Sequence, residues 1–265
     1  MSDGEAPRLL PPLQLAGLWQ MAIDTWLLDR AVTRPGSAAG PGHCGAALRF
    51  YTWSRPTLSL GYHQRPETRW LELVAQGQLA LVRRPSGGQA VLHGAGDLTY
   101  ALLWPQAPTR RRQAYSRACQ WLQQGFARLG LPLRFGEQSD PRPQGSCFAG
   151  SSSADLVHDD GAKRIGNAQL WRRGVLLQHG TILMEPRRDL WHQVLGQDPP
   201  ALAPLPCSRP ELVAVLLDCA RTLEPFSAAD WRCQALEPAE WSAIAGRLHR
   251  HRITGLQASD GVSHA

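Results

Sequence analysis

Arg83-Arg84-Pro85-Ser86-Gly87-Gly88-Gln89-Ala90-Val91-Leu92-His93 separates two apolar runs, Leu79-Ala80-Leu81-Val82 and Leu98-Thr99-Tyr100-Ala101-Leu102-Leu103-Trp104. Both runs read as short strands bounded by Gly and Pro. The glycines therefore lie between two strands. A dinucleotide-binding fingerprint needs its glycines between a strand and a helix, with an acidic residue about 20 positions on, so a Rossmann domain is disfavoured. Two adjacent glycines let backbone approach a ligand where a Cβ would clash. Exposed N–H groups and Arg84 would then receive an anionic or carbonyl-bearing group. The plainer alternative is a hairpin turn with Arg83 and Arg84 as solvated edge charges.

Outward from this loop, helices alternate with short strands. Leu13 to Arg30 carries Leu15, Leu18, Trp19, Ala22, Ile23, Trp26 and Leu27 at helical spacing. Ala47 to Trp53 alternates as a strand, Leu58 to Tyr62 begins another, and Arg69 to Gln76 is a short helix ended by Gly77. A long apolar-faced helix runs from about Tyr115 to Leu129 and stops at Gly130. Strands are expected at Leu131 to Phe135, Ala154 to Val157, Arg164 to Trp171 and Val175 to Met184. Asp159-Asp160-Gly161 makes a tight turn among them. Asp198 to Pro210 holds five prolines and reads as a linker, followed by helices at Glu211 to Leu223 and Pro238 to about Arg250. Hairpin-linked strands among helices predict an α+β fold with a mixed sheet flanked by helices. Residues 1–12 are expected to be a flexible N-terminus, 13–252 one catalytic domain with the helices from about 211 packed on it, and 253–265 a frayed tail.

A second segment makes the reading specific. It contains Ser146-Cys147-Phe148, then Lys163-Arg164-Ile165-Gly166-Asn167-Ala168-Gln169, then Gln178-His179-Gly180. With the Gly-Gly loop before it, the chain resembles the lipoate–protein ligase and octanoyltransferase family, which shares its catalytic fold with biotin protein ligases. That family pairs an Arg-Arg-x-(Ser/Thr)-Gly-Gly-x-Ala-Val-x-His loop with a later Lys…Gly-(Ser/Asn)-Ala-Gln stretch and a His-Gly strand. Milder matches are Met21-Ala22-Ile23-Asp24 and Trp53 to Gly61. The resemblance spans roughly residues 15 to 250.

It implies a biotin/lipoate protein ligase-like catalytic domain with Cys147 and Lys163 as catalytic residues. Arg84, Ser86, Gly87, Gly88, Gln89, Ala90, Val91, His93, Gly166, Asn167, Ala168, Gln169, His179 and Gly180 would bind substrate. Ser146-Cys147-Phe148 matches the Cys-dependent octanoyltransferases, in which that cysteine forms the acyl-enzyme. Gln89 in place of a third glycine points the same way. The expected reaction moves octanoyl from an acyl carrier protein, or an octanoylated lipoyl protein, to a lysine of a lipoyl domain or glycine-cleavage H protein. No cofactor and no metal would be needed; an ATP-dependent lipoate–protein ligase using ATP and Mg2+ is the alternative. A non-catalytic protein that binds lipoyl domains is a third.

The residues themselves allow plainer readings. Cys147 follows Gly145-Ser146 in a polar turn, where a nearby cation such as Lys163 would favour its thiolate; alternatively it is an inert buried thiol beside a surface lysine. His93 and His179 either line the pocket or are satisfied core histidines. Val91, Leu92, Leu176 and Leu177 either wall an acyl slot or belong to the core.

Composition narrows the class. Of 265 residues 43% are hydrophobic, and no apolar run approaches the roughly 18 to 20 residues of a membrane span. The N-terminus lacks the basic-then-apolar order of a secretory signal, so a cytoplasmic protein is expected. Six cysteines without a Cys-x-x-Cys pair argue against a zinc site and a disulfide framework. The formal net charge of +6 suits an acidic partner; no RNA-binding motif is visible, so neither nucleic acid nor membrane is expected. A monomer is expected.

Overall fold

A computed structural model describes residues 6–33, 45–137, 154–227 and 230–253. The first half of the chain gives β1 (Arg8–Leu15), α1 (Gly17–Thr33), β2 (Ala47–Trp53), β3 (Thr57–Leu60), α2 (Thr68–Ala75), β4 (Ala80–Arg83), β5 (Val91–His93), β6 (Asp97–Pro105) and α3 (Arg111–Arg128). The second half gives β7 (Arg134–Phe135), β8 (Leu156–Val157), β9 (Lys163–Arg172), β10 (Val175–Leu183), α4 (Arg188–Leu195), α5 (Arg209–Ala220), β11 (Arg232–Cys233) and α6 (Pro238–Ala245). A 3-10 turn at Leu248–His251 follows. The fold is α+β. Eight strands form a mixed sheet in the order β11-β1-β2-β6-β10-β9-β8-β7, and β4-β3-β5 form a smaller one.

The centre of the large sheet is apolar on both faces, as a sheet covered twice must be. All nine residues of β10 are buried. On one face Phe50, Leu98, Tyr100, Leu102 and Ile182 pack against Trp121, Leu122 and Phe126 of α3 and Leu212 and Leu216 of α5. A Cβ at Gly125 would lie 2.6 Å from Leu216 Cδ2, so that glycine sets how closely the two helices approach. On the other face Tyr51, Trp53, Ala101, Leu103 and Leu177 meet Met21, Ala22 and Trp26 of α1. The smaller sheet has its own core with α2 and α4. Ser208 and Glu211 cap α5 reciprocally, beside the expected start of that helix.

Three expectations are corrected. Residues 8–12 are not a flexible N-terminus, and the first helix does not begin at Leu13. Both stretches belong to β1, which pairs with β2 and β11, and α1 begins at Gly17. Pro11 and Pro12 hid the strand from its sequence; they fall where the β1–β2 register slips, between Leu10 and Leu13. The Gly-Gly loop is not a hairpin, because β3 lies between β4 and β5, parallel to one and antiparallel to the other. Helix α4, unforeseen, follows directly on Glu185-Pro186 and ends at Gly196 in the left-handed conformation. The tail beyond Ile253 lies outside the described residues.

Candidate functional site

Paired residues of an antiparallel sheet share a face. Gly166 on β9 faces Thr181 on β10, Thr181 faces Thr99 on β6, and Thr99 faces Tyr51 on β2. This row crosses three strand spacings, about 14 Å. All four residues line one cavity, about 510 Å³ with its open mouth included, that runs across the strands between the two sheets. Gly87, Gly88, Val91 and His93 of the smaller sheet line its other side. At the β2 end stand Met21, Tyr51 and Trp53, each no more than 2% exposed. At the β9 end stand Lys163 and Asp155.

Lys163 Nζ lies 2.9 Å from Asp155 Oδ2, both side chains buried. The β8–β9 hairpin brings them together, with Gly161 at φ 86° in its turn. A buried ion pair exacts a desolvation cost and is weak evidence of added stability. Its position on the wall of a cavity makes it a candidate for chemistry.

The polar groups around the cavity are engaged with one another. His93 stacks on Trp53, ring centroids 3.9 Å apart. Its Nε2 lies 2.8 Å from Ser59 Oγ and its Nδ1 3.3 Å from Thr181 Oγ1. Burial first, then the nearby Arg84 and His179, holds His93 well below the usual histidine range, so the ring is neutral. Trp53 Nε1 donates to Thr99 Oγ1 at 2.9 Å. With these groups satisfied, the ring faces and methyl groups they present make an apolar lining.

His179 joins the two sheets. Its Nε2 lies 2.6 Å from Ser86 Oγ, and its Nδ1 3.1 Å from Asp24 Oδ2. Asp24 also accepts from Tyr51 Oη at 3.2 Å and pairs with Arg49 Nε at 3.0 Å. Ser, His and Asp stand here in the order of a hydrolytic triad. Ser86, however, is 1% exposed and is not among the cavity-lining residues, so the chain of contacts anchors the loop and presents no nucleophile.

Of the expected site residues, Arg84, Gly87, Gly88, Val91, His93, Lys163, Gly166, Asn167, Ala168, His179 and Gly180 line the cavity. Cys147 lies outside the described residues. Ser86, Gln89, Ala90 and Gln169 are elsewhere: Ser86 bonds His179, Gln89 is exposed, Ala90 is core of the smaller sheet, and Gln169 Nε2 donates to Gln178 Oε1. Arg84 lines the cavity with its guanidinium engaged by the protein itself. It donates to the carbonyls of Ser59, Gly87 and Gln89 and shapes the loop itself. The Asn167 side chain is likewise taken, accepting from Tyr100 Oη at 2.6 Å and donating to the Ala154 carbonyl at 2.8 Å. Leu92, Leu176 and Leu177, considered as slot walls, are core residues.

Asp155, Tyr51, Trp53, Thr99 and Thr181 were not singled out from the sequence. For Asp155 there was a signal, since it lies across the Asp159-Asp160-Gly161 turn from Lys163. Among the described cysteines none lines the cavity, and burial pushes the Cys119 thiol up to about 12. No cluster among the described residues groups three or more metal-binding side chains, and no described helix is long and apolar enough to cross a membrane.

The cavity thus lies between a mixed sheet and a Gly-Gly loop, with Lys163 among its lining residues. The chain belongs to the lipoyl protein ligase A/B catalytic domain family, whose model matches residues 17–236. It is 37% identical over 185 residues to octanoyltransferase LipM of Geobacillus kaustophilus, a match covering 65% of this chain and 63% of that protein. The chain thus spans about 63% of the length of that curated relative. Among solved structures it superposes on lipoate-protein ligase A bound with ATP, with a TM-score of 0.68, 21% identity, and 93% of this chain and 95% of that chain covered. It also superposes on the bi-partite lipoate protein ligase of Thermoplasma acidophilum, with a TM-score of 0.68, 20% identity and 93% of each chain covered. At these identities the superpositions speak for the fold.

Proposed function

We propose that this protein is an octanoyltransferase. It takes octanoyl from the thioester of an acyl carrier protein, or of an octanoylated lipoyl protein, and passes it to a lysine ε-amine on a lipoyl domain or glycine-cleavage H protein, in the cytoplasm. The observation that carries the reading is the transverse cavity: a largely apolar slot about 14 Å long by strand count, long enough to hold an extended eight-carbon acyl thioester. The similarity to LipM octanoyltransferases supports the same reaction.

In the first step the Cys147 sulfur bonds to the acyl carbon, the carbon–sulfur bond to the carrier breaks, and the carrier thiolate leaves with the thiol proton. In the second the lysine nitrogen bonds to the same carbon, Cys147 leaves, and the amine proton returns to its sulfur. Lys163 offers a fixed positive charge to the thiolate and to the oxyanion of each tetrahedral intermediate. Backbone N–H groups around Gly166 to Ala168 are further candidates for that oxyanion. Thioester to thioester to amide runs downhill, so the balance includes neither ATP nor a metal.

Intact-protein mass spectrometry after incubation with octanoyl carrier protein tests this. One octanoyl adduct is expected, and it disappears in Cys147→Ala together with transfer to a lipoyl domain. Transfer that survives in Cys147→Ala, or that requires ATP and free lipoate, overturns the reading in favour of a ligase.

A further inference from the structure

A second cavity of about 1010 Å³, open mouth included, adjoins the first, and Arg84 and Gly87 border both. On β9, Ala168 lines one and Leu170 the other; alternation puts them on the same face of the strand, so the two cavities follow one another along it. Arg83, Arg84, Arg172 and Arg250 border this outer groove, with no carboxylate among its described lining residues.

Arg83, Arg172 and Arg250 are held in place rather than neutralised. Arg83 Nη1 donates to the carbonyls of Gly61, Tyr62 and Gln64 at 2.8 to 2.9 Å. Arg172, Arg250 and Arg247 all pair with the single carboxylate of Asp29. Backbone carbonyls cancel no charge, and one carboxylate cannot balance three guanidiniums. The fold keeps like charges together around a concave surface, where their field is focused. Tyr62, 57% exposed, is the one large hydrophobic residue exposed among those described, and it stands on this groove edge-on to His63. Tyrosine and arginine together are the usual makeup of binding hot spots.

We propose that this groove docks the acidic acyl-donor protein, whose acyl-bearing arm passes Gly87 into the inner cavity. The inference rests on the function proposed above. The charge favours the donor over the acceptor. An acceptor delivers a cationic lysine, which the guanidiniums of Arg83, Arg172 and Arg250 repel. The arm of an acyl carrier hangs from a phosphodiester, whose oxygens suit guanidinium forks.

The test compares enzyme acylation rates, read by intact mass, for octanoyl carrier protein and for the neutral small thioester octanoyl-N-acetylcysteamine. In Arg172→Gln/Arg250→Gln, the ratio of carrier rate to small-thioester rate falls at least tenfold, and the loss of rate with added salt seen in the wild type flattens. Tyr62→Ser, at an exposed position, moves the ratio the same way without touching Asp29. An unchanged ratio in both variants overturns the docking site, as does a defect confined to transfer onto the lipoyl domain. A wild-type enzyme that neither thioester acylates overturns the octanoyltransferase reading, and the docking site with it.

Discussion

Removing Lys163 leaves the Asp155 carboxylate buried without its lysine. Lys163→Met is therefore expected to lower stability by roughly 3 to 5 kcal/mol in urea unfolding. It should also cut transfer by a factor of about 10² to 10⁴. Lys163→Met/Asp155→Leu separates the two effects, because replacing both charges with apolar groups restores stability but not the rate. Asp97 is a second residue whose charge is confined. Gly94 N donates to its Oδ2 at 2.8 Å, yet burial raises its pKa from 3.8 to about 7. The folded state thus holds a proton that the unfolded chain gives up near pH 4. This contribution is complete below about pH 4, shrinks as pH rises, and is gone above about pH 7. A rise of that size corresponds to about 4 kcal/mol at most. Asp97→Asn should flatten the stability profile between pH 4 and 7 and should be more stable than wild type at pH 8, as denaturant titrations across that range would reveal.

The elements that build the cavity depend on contacts with no slack. A Cβ at Gly61 would lie 1.7 Å from the Gly88 carbonyl oxygen, so β3 carries the Gly-Gly loop directly on its backbone. Gly61→Ala should keep its far-UV circular dichroism while losing acylation at least tenfold, because the loop must move off the cavity. Met21, contributed by α1, stands at the β2 end of the slot. Met21→Ala should shift the preferred donor from eight carbons toward ten or twelve. Each added methylene then gains up to about 0.8 kcal/mol, which competition among acyl carriers of different length would register.

Legibility also differed by element. β9 and β10 were plain from their alternation and the turn at Arg172-Arg173-Gly174, where φ is 47° at Arg173 and 82° at Gly174. β1 was not, because two prolines and a leucine spacing shared with the following helix imitated a helical start. Tyr51, Thr99 and Thr181 were invisible as a group. Their row exists only because the sheet runs β2-β6-β10-β9, a long-range pairing that no local pattern encodes. The loop and lysine residues were legible through their motifs, in which Gly88 takes φ 92° and a Cβ at Gly180 would lie 2.3 Å from Asn167 Oδ1.

At the scale of the whole molecule, the cavity lies between two sheets with separate cores, bridged through Ser86, His179 and Asp24. Filling it with an acyl chain adds apolar contact to both sheets at once. The acylated enzyme is expected to melt above the free enzyme by about 2 to 4 °C for each kcal/mol gained, a difference that differential scanning calorimetry resolves. Net charge told that an acidic partner was plausible, but only the folded chain brings Arg83, Arg172 and Arg250 to one groove from three distant stretches.

The self-contained bonding of His93, Trp53, Thr99, Ser59 and Thr181 has a consequence for fidelity. An acyl chain that bears an alcohol is the contrasting case. Such an alcohol, drawn into the slot, would surrender its water for side chains already bonded to one another. An exclusion of about 1 to 3 kcal/mol follows. On the function proposed above, the slot would thereby prefer saturated chains to hydroxylated ones.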